Sequence, residues 1–246
     1  MKLTIAAINL QSGVATTKGN WHYALTGWKY WLPHSDEPIM RAGKMLKEEN
    51  VDIVCLSEIS EKSLCTGFRS QTETLAKSAG MDHSHFFSQQ KIGKLFRHEG
   101  NAIISRYPIE NIASHPLHKE LIGVALDQAV IEVEGKGVTI FAAHLALTKK
   151  HRQIQIKEII DILKEKQGPL ILAGDFNERE PAALDILLRE TPLTHKCALP
   201  TYPSWNPKYP LDYIFLSKEF RVLDCYVQKS PTFSDHKALV VEAEVN

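Results

Sequence analysis

Residues 170–177 read LILAGDFN. The four apolar residues at its start, unbroken by charge, have the composition of a strand covered on both faces. Gly174 then frees the backbone, and Asp175 and Asn177 follow two residues apart, so in an extended chain they project to the same side. A carboxylate and an amide side by side at the end of a buried strand can hold a water against a phosphoryl oxygen. Taken singly, Gly-Asp-Phe-Asn also suits an Asx-type turn between a strand and a helix. Its company decides between these readings.

That company repeats the pattern. Glu58 ends the apolar run VDIVCLSE at 51–58, where a lone carboxylate would carry a large desolvation cost that a bound cation offsets. His144 lies within TIFAAHL at 139–145, Asp235 and His236 open SDHKALVVE at 234–242, Asp212 sits in LDYIFLS at 211–217, and Asn9 closes the first strand at 3–9. Adjacent strand residues face opposite ways, so Asp235 and His236 are not expected to serve each other. Asp212 is expected to orient the His236 ring and fix its tautomer, leaving Asp235 to face a metal and its waters. Carboxylate, amide and imidazole delivered where several strands stop imply one concave site for a hard divalent cation and a phosphate.

The rest of the chain supplies the scaffold. Apolar runs predict strands at 51–57, 101–105, 109–115, 123–133, 137–144, 169–173, 211–216, 221–228 and 238–244, with a glycine-permitted hairpin at Glu134-Gly135-Lys136-Gly137. Helices are predicted at 38–49 with Pro38 in the first turn, at 69–79 ended by Gly80, at 150–166 from its isoleucine and leucine spacing, and at 181–189. With 246 residues, 43% hydrophobic and 24% charged, the composition is that of a globular protein and is expected to form one domain over 1–246.

Lysine plus arginine equals aspartate plus glutamate at 29 each, which argues against a protein held on nucleic acid by bulk charge. The four cysteines, Cys55, Cys65, Cys197 and Cys225, show no metal-binding or redox spacing and read as structural thiols of a reducing compartment. The first residues alternate like a strand rather than a signal peptide, and no apolar stretch approaches the ~18 residues of a membrane span. A soluble, cytoplasmic monomer is expected.

In order, Asn9, Glu58, GNAIISRYPI at 100–109, His144, GDFN at 174–177, LDYIF at 211–215 and SDH at 234–236 resemble the endonuclease/exonuclease/phosphatase superfamily, which includes deoxyribonuclease I-like enzymes. The resemblance implies an α/β fold: a four-layer α/β sandwich of two packed mixed β-sheets flanked by helices. It also implies magnesium-dependent phosphoester hydrolysis, with manganese as a substitute. Carried over residue by residue, Glu58 resembles the principal metal carboxylate, with Asn9 and Asp235 arranging the metal or its water shell. Asp175 and Asn177 resemble the pair that positions the attacking water and the phosphate. His236, oriented by Asp212, and His144 resemble the two histidines that share the acid and base work. Gln11 departs from the abasic-site endonucleases, which place an aspartate two residues after the first asparagine, and His144 stands where those enzymes tend to use tyrosine. Both departures demote DNA repair.

Two stretches bear on the substrate. Residues 16–35, TTKGNWHYALTGWKYWLPHS, hold Trp21, Trp28 and Trp31 with Tyr23 and Tyr30, rings that could stack on bases, pack against lipid or cover the core. The proline-stiffened TYPSWNPKYP at 201–210 offers Tyr202 and Trp205 to the mouth of the site. The basic segments Lys91–His98 and Lys149–Arg152 are candidate phosphate contacts. The reading is a phosphodiesterase or nuclease acting on nucleic acid, ahead of a phospholipid or inositol phosphate head group. A non-catalytic binding protein on the same fold is the third alternative.

Overall fold

The computed structural model describes residues 1–92, 96–119, 124–229 and 232–245. Twelve strands form two six-stranded sheets. In the first, β1 (Lys2–Asn9), β2 (Ile53–Ser60), β3 (His83–Ile92), β4 (Arg97–Ser105), β11 (Phe220–Val227) and β12 (Leu239–Val245) lie in the order β11-β12-β1-β2-β4-β3. In the second, β5 (Ile109–Leu117), β6 (Val124–Val133), β7 (Lys136–His144), β8 (Leu170–Asp175), β9 (Leu193–Cys197) and β10 (Asp212–Ser217) lie in the order β5-β6-β7-β8-β10-β9. Both are mixed: β1 runs parallel to β2 and β7 parallel to β8, and the remaining pairs are antiparallel.

Strand alternation sorts the apolar residues into three layers of core. Leu3, Ile5 and Ala7 of β1 face the second sheet and pack with Ile131, Ile140 and Ile171, all buried. Ala6 and Ile8 point the other way, onto Ile39, Met45 and Leu46 of α2 (Glu37–Glu48) and Leu75 of α3 (Gln71–Ala79). On the far side Phe141, Leu172 and Phe215 meet Ile156, Ile159 and Leu163 of α4 (Lys149–Leu163) and Leu187 of α5 (Asp185–Glu190). Helices, sheet, sheet and helices make the four-layer sandwich the sequence implied, because the central strands have an apolar partner on each face.

Helix boundaries follow local chemistry. Pro38 sits in the first turn of α2, and Asn50 leaves the helix with φ +51°. The Ser70 hydroxyl caps α3 by accepting from the Glu73 amide at 3.0 Å, and Gly80 ends it in the left-handed region. The segment predicted as one helix at 181–189 opens instead as a 3-10 turn, Pro181–Leu184, before α5. Two strands, β3 and β9, and a short helix, α1 (Trp21–Thr26), were not predicted. A 3-10 turn, Gly27–Tyr30, continues α1.

The expectation of four reduced thiols is corrected. Cys55 and Cys65 are free and buried, and burial pushes the Cys55 thiol up to about 12. Cys197 of β9 and Cys225 of β11 form a disulfide, joining an edge of one sheet to an edge of the other. The two positions are 28 residues apart, and only the closing of the sandwich brings them together. Among the described residues no helix is long and apolar enough to cross a membrane.

Candidate active site

The site lies where β1, β7 and β8 end, β10 begins and β2 is broken by a bulge. His144 pairs in register with Asp175, and Asp175 with Asp212, so three neighbouring strands of the second sheet present an imidazole and two carboxylates in one row. The row needs a close approach of β7 and β8. Gly174 has φ +142°, and a Cβ there would stand 2.0 Å from the Ala143 carbonyl oxygen, so glycine is required where the strands deliver their polar ends.

The first sheet supplies Asn9 and Glu58. Pairing of β2 with β4 jumps from Leu56 opposite Ala102 to Ile59 opposite Gly100, a bulge that sets Ser57 and Glu58 against one partner residue and holds Glu58 at φ +50°. The bulge re-aims the carboxylate. Asn9 then joins the sheets: its Nδ2 donates to Glu58 Oε1 at 2.9 Å and to Asp175 Oδ2 at 3.0 Å, while its Oδ1 accepts from the Gln11 amide at 2.9 Å. His144 Nε2 lies 3.7 Å from Glu58 Oε1 and 4.0 Å from Asp175 Oδ2.

On the other flank Asp212 Oδ2 accepts from His236 Nδ1 at 2.8 Å and from the Thr201 hydroxyl at 2.5 Å. The His236 Nε2 is thereby aimed at Asp175 Oδ2, 3.9 Å away. Burial alone would hold the imidazole neutral, but the charges of Asp212, Asp175 and Asp235 outweigh it and raise the His236 pKa well above its ordinary value. Burial raises the Asp212 pKa, against the opposing pull of His236. Both shifts favour keeping a proton within the buried Asp212–His236 pair. Asp175 Oδ1 accepts from the Asn177 amide at 2.8 Å, and Asn177 Nδ2 donates to the Leu145 carbonyl at 2.8 Å, which leaves one amide hydrogen of that side chain for another acceptor.

Asp235 and His236 take different partners, and they sit in a bend before β12 rather than in the strand whose alternation the sequence reading invoked. The partner of Asp235 is Tyr23 of α1, whose hydroxyl donates to Asp235 Oδ2 at 2.7 Å. Burial, and then the Asp235 charge, raises the Tyr23 pKa, so the hydroxyl stays a donor. Tyr23 also meets the Tyr202 hydroxyl at 3.2 Å and the Trp205 ring edge-on at 6.2 Å, and the Tyr202 ring lies 4.9 Å from that of His236. Tyr202 and Trp205 therefore stand at the mouth, whereas Trp21 points outward with 59% of its surface exposed.

Several contributors escaped sequence reasoning. Tyr23 was singled out only as a ring, and neither Thr201 nor Ser204, whose amide donates to the Asp235 carbonyl at 2.6 Å, carried any signal beyond its place in a proline-rich loop. Gln11 turns away from the carboxylates: its Oε1 accepts from the Thr16 amide at 2.8 Å and its Nε2 donates to the Thr16 hydroxyl at 3.0 Å. Arg152 is corrected from a phosphate contact to a structural residue, buried against Glu178 at 3.1 Å and donating to the Leu147 carbonyl at 2.7 Å. Part of the Lys91–His98 segment lies outside the described residues, and Arg97 within it pairs with Glu99 at 2.6 Å.

The donor set fits a hard divalent cation. Glu58, Asp175, Asp212 and Asp235 bring four carboxylates to the site, and among the described ion pairs their only cationic partners are His144 and His236. Asp212 Oδ1 is buried with no hydrogen-bond partner among the described residues. Asp175, Asp212 and His236 form a compact buried group that could hold a metal. That trio differs from Asn9, Glu58 and Asp235, and two of its atoms are already bonded to each other through a proton.

A family model for the endonuclease/exonuclease/phosphatase family matches residues 9–236. The uncharacterized Escherichia coli protein YbhP is 31% identical over 133 residues, 48% of this chain and 51% of its own length, so the chain spans about half the length of that curated relative. Among solved structures, an endonuclease/exonuclease/phosphatase from Beutenbergia cavernae superposes with TM-score 0.75 at 21% identity, covering 99% of this chain and 72% of that one. The mannosyl-6-phosphatase of Bacteroides thetaiotaomicron superposes with TM-score 0.65 at 18% identity, covering 98% and 99%. With a match running from the asparagine that bridges the sheets to the histidine paired with Asp212, the chain belongs to the endonuclease/exonuclease/phosphatase family.

Proposed function

We propose that this chain hydrolyses phosphoesters with the help of a divalent cation, magnesium first and manganese as a substitute, and that residues 1–246 act as one domain. The observation that carries the reading is the geometry around Asp175: a carboxylate shared between the Asn9 amide and the face of His236, with Glu58 and His144 beside it. Oxygen donors dominate the cluster and no cysteine enters it, the preference of a hard cation. Glu58 is its principal ligand, with Asn9 and Asp235 ordering the surrounding waters. The Asp175, Asp212 and His236 trio serves the proton instead, since His236 Nδ1 is already bonded to Asp212 Oδ2 at 2.8 Å.

A cation so held would offset charge on the phosphoryl group during in-line attack. The chain's own residues do the rest. Asp175 and Asn177 hold the attacking water and the phosphate in line, which removes much of the entropic barrier. In its protonated form His236 presents Nε2–H to a phosphoryl oxygen, and Asp212, accepting from Nδ1, orients the ring and stabilises its charge. His144, half-buried on the opposite flank, shares the acid and base work near the leaving group.

The test is turnover of a chromogenic phosphodiester with magnesium, with manganese and with excess chelator, followed by plasmid DNA, single-stranded DNA, RNA, sphingomyelin, inositol phosphates and a sugar phosphate. Metal-dependent turnover abolished by chelator is expected. A folded protein that binds one of these ligands without ever turning it over, with or without metal, would instead make it a binding module.

A further inference from the structure

The segment that follows β1 is built inside out. Tyr23 and Tyr30 hold it to the body by polar contacts, Tyr23 to Asp235 and Tyr30 beneath the Arg97 guanidinium at 4.8 Å, and Thr26 braces it internally on the Thr16 hydroxyl at 2.8 Å. The apolar side chains face outward. Trp21 and Leu25, one turn apart on α1, are 59% and 61% exposed, Trp28 in the 3-10 turn that follows is 50% exposed, and Trp31 and Leu32 continue at 52% and 53%. Two neighbouring loops extend the surface. The His34 amide donates to the Cys65 carbonyl at 3.2 Å, bringing up the loop that exposes Phe68, and exposed Phe96 precedes the arginine that covers Tyr30.

A helix normally turns its tryptophans inward, and a contiguous apolar patch of this kind is rare on a protein that faces only water. Within residues 10–35 the formal charges are of one sign, with no aspartate or glutamate. Lys18 is exposed beside the tryptophans, whereas Lys29 is partly buried, donates to the Val14 carbonyl at 2.9 Å and feels the charge of Glu37 on α2. Lysines bordering indole and leucine suit the boundary between anionic head groups and acyl chains, where an indole can bury its ring and keep its N–H wet. Nucleic acid fits less well, since two lysines on a chain of zero net charge offer little phosphate neutralisation.

We infer that Trp21, Leu25, Trp28, Trp31 and Leu32 form a docking surface for an anionic phospholipid bilayer. Tyr23, in the same helix, bonds to Asp235, so a bilayer on the outer face lies beside the mouth of the site and presents phosphoesters carried by lipids. That step to a lipid substrate rests on the hydrolase reading above. The docking itself does not.

Binding is therefore measured in chelator, where no turnover occurs, with phosphatidylcholine vesicles that contain or lack phosphatidylglycerol. The unmodified protein should sediment with the anionic vesicles, its tryptophan emission should shift to the blue, and brominated acyl chains should quench it. Added salt should weaken the binding. Replacing Trp21, Leu25 and Trp28 by serine together should lower the partition coefficient by roughly tenfold or more with the thermal unfolding temperature unchanged. A protein that stays in the supernatant at every lipid concentration, or whose emission is untouched by brominated lipid, overturns the inference whether or not the triple variant folds. Equal partitioning of a folded triple variant overturns it as well, and so does quenching by single-stranded oligonucleotide without any by lipid. Hydrolysis of lipid phosphoesters with magnesium is then scored separately, so that loss of docking and loss of catalysis are told apart.

Discussion

The strand-end cluster and the tryptophan segment beside it invert the usual distribution of polarity in opposite senses. One places four carboxylates and two imidazoles where neighbouring residues are buried core; the other places indole and leucine in water and turns hydroxyls inward. Folding alone favours neither arrangement, because isolated buried charge is expensive and exposed apolar surface forgoes its burial. Their difference lies in what makes each tolerable. The cluster is held by a dense internal network through Asn9, Asp212 and Asn177 and is rigid before any ligand arrives. Among the described residues the segment has no apolar partner on its outer face, so removing its rings should leave the fold alone, whereas obstructing the close approach of β7 and β8 that builds the cluster should not.

The largest expected effect is at Gly174. An alanine there would force its Cβ against the Ala143 carbonyl in a backbone conformation that side chains avoid, at the point where β7 and β8 deliver His144 and Asp175. Gly174→Ala is expected to lose more than about 4 kcal/mol of stability or to fail to fold, whereas Trp28→Ala should stay within about 0.5 kcal/mol of the parent. Denaturant melts compare the two directly. Similar small losses at both positions would erase the contrast.

Activity should respond next. Removing the imidazole by His236→Ala is expected to reduce turnover by roughly a hundredfold to ten-thousandfold. Asp212→Asn should come close to it, because an amide lacks the charge that orients the ring and favours its protonated form. The double variant should be little worse than the stronger single one, since the two residues act as a unit. Multiplicative losses in steady-state kinetics would separate them. For Glu58→Gln the expected readout is magnesium affinity, weakened by roughly tenfold or more in calorimetry with the melting temperature preserved. Unchanged affinity there, with loss on changing Asp175, would move the cation to the Asp175, Asp212 and His236 group.

How much of this was legible in the sequence depended on burial. Central strands such as β2, β8 and β10 are covered on both faces and appear as unbroken apolar runs, so their positions and the polar residues ending them could be read directly. The strands that escaped, β3 and β9, are each the outermost strand of a sheet, and sequences such as HSHFFSQQKI and LTHKC carry too little apolar alternation to stand out. The pairing of Asp212 with His236 was expected because adjacent residues of an extended chain face opposite ways, which ruled out Asp235 as the partner of the ring. Tyr23 and Thr201 were not assigned, since a hydroxyl that completes a carboxylate's hydrogen bonds has no spacing rule linking it to a partner 212 or 11 residues away. The cross-sheet disulfide was missed for the same reason.

Tyr23 belongs to both regions, and it gives the smallest and most specific prediction. Its hydroxyl donates to Asp235 Oδ2, while its helix carries Trp21 and Leu25 outward. Tyr23→Phe removes one charge-assisted hydrogen bond and no apolar area, so the exposed surface should be retained while the catalytic side registers the loss. A hydrogen bond to a charged group contributes about 1.5–3 kcal/mol. Part of that should appear as coupling in a double-mutant cycle with Asp235→Asn, read from the free energy of unfolding, with about 1–2 kcal/mol of interaction and a turnover reduced several-fold in each single variant. Vesicle partitioning of Tyr23→Phe should match the parent. Additive effects in the cycle would mean that the segment merely lies against the site, and a parallel loss of lipid binding would mean that the hydroxyl holds the outer face in shape as well as the carboxylate in place.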